Sequence, residues 1–144
     1  MIFHSVVMNV ADLERSIEFY REVFGFTVLA SRDQVVAISA PDSDRPQVIV
    51  LRALGTSGRI GGARHVGMRA LIVEVDSVEE LDRIEAELQS RGSYRGRRRG
   101  PTWTAVVGTD PDHIGVVTAC SVGSGRVSRD DWTSLDEFVY GIGE

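Results

Sequence analysis

The chain says nearly the same thing twice, and that repeat constrains its fold more than any other feature. Residues 5–26 (SVVMNVADLERSIEFYREVFGF) read as a strand, a tight turn, an amphipathic helix, a glycine and a second strand. Residues 70–94 (ALIVEVDSVEELDRIEAELQSRGSY) follow the same course. Short apolar strands come after each: VVAIS and VIVL in the first half, TAVVG and GVVTA in the second. A half-chain repeat implies one unit built twice, with two open sheets meeting around a shared cavity.

The bulk properties narrow the function classes. At 144 residues with 42% hydrophobic content, the chain has enough apolar side chains for an ordinary soluble core. A net charge of −5 argues against nucleic-acid binding, which needs a basic face to displace counterions. All 16 basic residues are Arg, which reads as compositional bias rather than mechanism. The single Cys120 rules out an internal disulfide and suits a reducing compartment. No apolar run reaches membrane-spanning length, and the N-terminus has no basic stretch followed by an apolar core. A cytoplasmic protein with no membrane contact is expected.

Periodicity places the elements. In residues 2–10 Val6, Met8 and Val10 share one strand face, and Ser5, Val7 and Asn9 the other. Asp12 is positioned to cap a helix from Leu13 to about Phe24, with Leu13, Ile17, Tyr20 and Phe24 as its apolar stripe and Gly25 as its stop. Strands follow at 26–30, 34–39 and 47–53, closing a first module over residues 1–53. A glycine-rich connection, 54–67, lacks the Gly-Lys-Ser/Thr ending of a phosphate loop and reads as a linker. The second module, 68–120, opens with a strand at 68–75. Ser77 and Glu80 then form a capping box, and Val78, Leu81, Ile84 and Leu88 line one helix face. Gly92 ends that helix, and strands are expected near 94–99, 102–108 and 114–119. The tail, 121–144, lies outside the repeat. Ser128 and Asp131 can cap a short helix carrying Trp132, Leu135 and Val139 on one face, with Gly141 as its stop. So aromatic a tail is expected to pack on the domain, on a partner subunit or over the cavity mouth.

The run VADLERSIEFYREVFGF, its echo DSVEELDRIEAEL and the late DPD turn before a terminal strand together resemble the vicinal-oxygen-chelate superfamily. This is the group of glyoxalase I, bleomycin-resistance proteins and extradiol dioxygenases. The resemblance covers roughly residues 3–119. It implies an α+β fold of two βαβββ modules, whose cupped mixed sheet encloses a central cavity, commonly in a homodimer. The family's enzymes hold a divalent metal there. His or Glu/Gln from the first strand of each module binds it, with Glu/Gln from each module's last strand.

Carried over residue by residue, the resemblance yields an unusual ligand set. The first-strand position, seven residues before the Asp of the D-L motif, is Ser5. Its counterpart, five residues before Val75, is Ala70. The position seven residues beyond the first Asp of DPD is Val117. The fourth falls on 47–53, at Val50 or Arg52, with the register open. Ser, Ala and Val cannot hold a divalent ion, which needs several converging imidazole or carboxylate groups. An Arg there would repel one. No metal or other cofactor is therefore expected.

The remaining candidates have plain readings beside their functional ones. His4 neighbours a ligand position on the opposite strand face and reads as a surface or interface His. His65 lies in the glycine-rich connection, and His113 in a turn. Cys120 and His113 lack a third, orienting group, so no nucleophile is assigned. Glu74 shares a face with Ala70 and Ile72 and is the one candidate general base; the plain reading is a solvated strand-end carboxylate. Arg91, Arg95, Arg97, Arg98 and Arg99 form a basic cluster. Alternation puts Arg95, Arg97 and Arg99 on one face and Arg98 on the other. They form either an anion-binding wall or an edge strand kept soluble by charge. Trp103 can stack on a planar ligand or pack in the core.

These readings lead to a metal-free protein that binds an aromatic or amphipathic small molecule, in the manner of bleomycin-resistance proteins. Asn9, Arg52 and Trp103 would make polar and stacking contacts, around a floor of Ser5, Ala70, Ile72 and Val117. Binding would act by sequestration. The competing reading is an enzyme: a divalent-metal-dependent dioxygenase, lyase or isomerase with displaced ligands, or a metal-free catalyst using Glu74 or an Arg. A third is a structural or regulatory protein with a collapsed cavity.

Overall fold

The computed structural model describes residues 1, 4–41, 47–55, 68, 70–123 and 125–128. The first two residues of the expected opening strand's body, 2–3, most of the glycine-rich connection with His65, and the tail helix with Trp132, Leu135 and Val139 lie outside the described residues. The chain divides into two compact units, Met1–Ile60 and Gly61–Glu144.

In the first unit the order is β1 (Ser5–Val10), α1 (Leu13–Phe24), β2 (Thr27–Arg32), β3 (Val35–Ser39) and β4 (Val48–Ala53). The four strands make one mixed sheet in the order β1-β4-β3-β2. β1 and β4 run parallel, with Ser5 opposite Val48, and the other pairs are antiparallel. A parallel pair needs a crossover, which α1, β2 and β3 supply. Asp12 caps α1: its Oδ1 accepts from the Arg15 N–H at 3.0 Å. Gly25 ends the helix at φ 74, a left-handed conformation that costs glycine little.

Strand alternation sorts the sheet's two faces as expected. Met8, Val10, Val36, Ile38, Ile49 and Leu51 are buried on the helix side. α1 meets them with half of the expected stripe, Tyr20 and Phe24, joined by residues that the periodicity did not single out. Its buried residues are Ser16, Phe19, Tyr20, Val23 and Phe24, while Leu13 and Ile17 are only half-buried. Ser16 has a small side chain and is wholly buried, so the helix can approach the sheet closely and seat Phe19 and Val23 inward. Phe19, Tyr20, Phe24 and Phe26 form a connected aromatic cluster with centroids 5.3–6.3 Å apart. Phe26 belongs to that cluster, and β2 begins one residue after it.

The second unit repeats the plan with β5 (Ala70–Val75), α2 (Val78–Ser90), β6 (Tyr94–Arg99), β7 (Trp103–Thr109) and β8 (Gly115–Ser121), in the sheet order β5-β8-β7-β6. β5 and β8 are parallel, with Ala70 opposite Gly115. Ser77 caps α2, its Oγ accepting from the Glu80 N–H at 3.2 Å. Leu81, Ile84 and Leu88 are buried against the sheet, and Val78 is exposed. Even the irregularities repeat: β2 slips register between Val28 and Ala30, and β6 between Tyr94 and Gly96. The result is an α+β fold of two βαβββ modules, each a four-stranded mixed sheet with one helix on one side.

Candidate functional site

The helix-free face of each sheet carries the candidate residues. Ser5 stands seven residues before the helix cap Asp12, and Ala70 seven before the cap Ser77, so the two are equivalent. Strand pairing then settles the open register. Counting from Ser5 opposite Val48, the third pair of β1 and β4 is Val7 with Val50. Counting from Ala70 opposite Gly115, the third pair of β5 and β8 is Ile72 with Val117. Val50 is therefore the counterpart of Val117, and Arg52 the counterpart of Ala119. Carried over from the resemblance, the expected donor positions are Ser5, Ala70 and Val117, and the repeat makes Val50 the equivalent of Val117. One hydroxyl and three aliphatic side chains do not fit a divalent cation. Among the described residues no three His, Cys, Asp or Glu side chains group to hold one.

In the first unit, β1 and β4 bring Ser5, Asn9 and Arg52 onto one face, with Asn9 directly opposite Arg52. Ser5 is half-buried, and its Oγ shares a 3.2 Å hydrogen bond with Nδ1 of the exposed His4. Asn9 and Arg52 are exposed, and Arg52 has no hydrogen-bond or ion-pair partner among the described residues. Val7, 63% exposed, and Val50 lie on the same face. This surface combines a guanidinium and an amide with apolar side chains.

The same face of the second unit is closed. Trp103, Ala105 and Val107 of β7 and Val117 and Ala119 of β8 form an apolar cluster, and Val127 from the tail lies buried in it. Ala70 packs against the cluster's edge, while Ile72 remains partly exposed. Gly100 sits against Trp103; a Cβ there would fall 2.4 Å from the indole, so glycine lets the ring lie flat on the backbone. Glu74 accepts a 3.0 Å hydrogen bond from the Val127 N–H through Oε1, and the Arg126 guanidinium stands 3.9 Å from Oε2. Its carboxylate thus holds residues 126–127 rather than standing solvated at a strand end. Val127 was invisible in the sequence, where an isolated Val among Gly, Ser and Arg carries no periodicity.

The basic cluster separates into different roles. The irregularity at Tyr94–Gly96 breaks the alternation that would align Arg95 with Arg97. Arg97 turns to the helix side, where Nη1 donates to Asp82 Oδ1 at 2.7 Å and to Glu85 Oε2 at 2.6 Å. The Asp82 hydrogen bond, then that of Glu85, outweighs desolvation and raises the guanidinium's pKa. β6 is an edge strand, and Arg95, Arg98 and Arg99 are exposed on it, as the edge-strand reading requires. His113 is an exposed turn residue at φ 64, its N–H donating to the Asp110 carbonyl. Asp110 Oδ1 accepts from the Asp112 and Ile114 N–H groups, both at 2.9 Å, which fixes the turn before β8.

Comparison with known proteins fits this architecture. Solved structures with the same fold include a glyoxylase/bleomycin resistance protein/dioxygenase domain from Frankia sp. EAN1pec, 21% identical, covering 87% of this chain and 94% of that one with a TM-score of 0.72. A lactoylglutathione lyase from Agrobacterium tumefaciens is 20% identical, with 83% and 92% covered and a TM-score of 0.61. An integron cassette protein from the mobile metagenome of V. cholerae is 20% identical, with 83% and 94% covered and a TM-score of 0.56. No curated protein matches the chain. No described helix is long and apolar enough to cross a membrane. The family model of the Glyoxalase/Bleomycin resistance protein/Dioxygenase superfamily matches residues 2–118, and with the duplicated βαβββ plan this establishes that the chain belongs to that superfamily.

Proposed function

We propose that this chain is a metal-free small-molecule-binding member of its superfamily, taking an aromatic or amphipathic anion on the helix-free faces of its sheets and acting by sequestration. One observation carries the reading. The resemblance puts the family's donor positions at Ser5, Ala70 and Val117, and the equivalence of Val50 with Val117 in the repeat supports Val50 as the fourth, a set that would leave apolar walls with a few polar anchors. Arg52, without a partner among the described residues and beside Asn9, with the exposed Val7 and half-buried Val50 on the same face, is the anchor for the anionic group. The chain would work as a cytoplasmic homodimer with Cys120 reduced.

The test is calorimetric titration with planar aromatic carboxylates, compared with their uncharged amides. Arg52→Ala should weaken carboxylate binding about tenfold and leave amide binding unchanged, given about 1.5–3 kcal/mol for a charge-assisted hydrogen bond. Equal affinity of both proteins for both ligand series would refute the assignment of Arg52. The enzyme reading draws on the His4 imidazole, within hydrogen-bonding distance of Ser5 Oγ. It requires stoichiometric metal in the purified protein, lost on His4→Ala.

A further inference from the structure

The two modules are built alike, yet their helix-free faces are finished differently. On the second, Val127 is 5% exposed and packs with Trp103, Ala105, Val107, Val117 and Ala119. Its N–H donates to Glu74 Oε1 at 3.0 Å. That face thus offers an acceptor to a backbone donor, and an apolar surface to an aliphatic side chain of the same chain. The first face follows the same plan with its polarity reversed. Asn9 stands four residues beyond Ser5, as Glu74 stands four beyond Ala70. The residue directly opposite is Arg52 in the first module and Ala119 in the second. A carboxylate beside a methyl is therefore replaced by a carboxamide beside a guanidinium. Asn9 and Arg52 are exposed, and neither side chain has a hydrogen-bond or ion-pair partner among the described residues. The apolar character around them is kept. Val35 of β3 lies opposite Arg52, Ala37 lies opposite Val50, and Val7 is 63% exposed alongside.

We propose that the repeat carries one binding site and not two, on the face of the first module, and that this site takes an N-acylated amino acid or a similar α-amido carboxylate. This rests on the binding function proposed above and narrows it to one face and one ligand class. The second face is filled by the chain's own Val127, so Trp103 belongs to that packing and not to a ligand. The class follows from the two anchors. The Arg52 guanidinium presents paired donors that match a carboxylate. The Asn9 carboxamide both donates and accepts, which matches an amide better than a second carboxylate oxygen. Neighbouring strands lie about 4.8 Å apart, so two residues directly opposite each other can reach polar groups that are one or two bonds apart in a single ligand. The acyl group lies on Val7, Val35, Ala37 and Val50, where burial adds affinity without demanding direction. Arg52 holds the charge, and Asn9 sets the specificity.

The experiment titrates the full chain with two acids that share a phenyl ring, benzoate and N-benzoylglycine. Calorimetry gives affinity and stoichiometry, and amide chemical shifts of the isotope-labelled protein give location. N-benzoylglycine should bind once per chain and about fivefold more tightly than benzoate, the gain expected of one neutral hydrogen bond. Its shifts should centre on Val7, Asn9, Val50 and Arg52 and spare Ala105, Val117 and Ala119. Asn9→Ala should bring N-benzoylglycine down to the affinity of benzoate, whereas Arg52→Ala should weaken both acids about tenfold. Asn9→Asp places a carboxylate where the second face already has one. It should weaken both acids by pairing with Arg52. Two ligands per chain, or shifts centred on β7 and β8, would overturn the single site. Equal affinity for the two acids, or an unchanged ratio between them in Asn9→Ala, would overturn the ligand class alone, since Arg52-dependent binding of benzoate would still support the binding function. No binding of either acid would overturn this inference together with that function.

Discussion

Thr118 is wholly buried on β8, and its hydroxyl has no hydrogen-bond partner among the described residues. Its neighbour Val117 faces the apolar cluster on the helix-free side, so alternation turns Thr118 toward α2. A buried hydroxyl without a partner forfeits its hydration and gains nothing in return. Thr118→Val should therefore stabilise the fold by about 1–2 kcal/mol in urea denaturation, and a loss of stability would mean the hydroxyl has a role in the fold. Cys120, two residues on, faces the same way. Burial, then the Glu74, Asp76 and Glu79 carboxylates, pushes its thiol pKa up. The sign follows directly. The unfolded thiol ionises first, near about 8.5, so its contribution to stability is complete below that pH and is lost as pH rises toward the higher native value. Between pH 7.5 and 9.5 the urea midpoint of the parent chain should fall more steeply than that of Cys120→Ala; parallel falls would show that the thiol is not the group responsible.

The elements of the second module are fitted to each other at backbone distance. A Cβ at Gly108 of β7 would lie 2.8 Å from the Ser93 carbonyl and 2.9 Å from both Leu88 methyls. Leu88 could adjust, but the Ser93 carbonyl is held by the Thr109 N–H at 2.9 Å. Gly108→Ala should thus cost about 1–3 kcal/mol in urea or thermal unfolding, with α2 displaced. A neutral result would show that the strand and helix have slack that these distances deny. At this scale the sequence was informative about ends and less so about faces. The caps Asp12 and Ser77 and the left-handed Gly25 act locally, through a side chain and backbone within one turn, so they were legible. The buried stripe of α1 was legible only at Tyr20 and Phe24. A small residue at the centre of a packed helix brings its flanks inward, and Ser16 does so here with Phe19 and Val23. The irregularities opposite Ala37 and Val107 likewise depend on the partner strand, which is why alternation misaligned Arg95 with Arg97 and Arg99.

For the whole molecule, the duplicated architecture of the superfamily is retained, and the proposed function takes Ser5, Val50, Ala70 and Val117 as the positions that would otherwise carry metal donors. Metal binding to a folded site raises the unfolding temperature in proportion to affinity and concentration. Added Zn, Ni or Mn at micromolar levels, or excess chelator, should leave the unfolding temperature within error of the untreated protein. A rise of several degrees with one of these ions, abolished by His4→Ala, would instead establish a metal centre and redirect the functional reading to enzymatic chemistry.

By itself the sequence determined the repeat, the two helices with their caps, the strand faces of β1 and the absence of donors at Ser5, Ala70 and Val117. All of these follow from side-chain type and local period, which a chain carries without knowing its neighbours. Only tertiary structure could decide the rest. Strand pairing made Val50, not Arg52, the equivalent of Val117, because register is a relation between two strands and not a property of either. It gave Arg97 to Asp82 and Glu85. It also turned Glu74 from a strand-end carboxylate into the anchor of a segment 53 residues further along the chain. That contact exists because Val127 is buried in the apolar cluster of that sheet face, which brings its N–H to the Glu74 carboxylate.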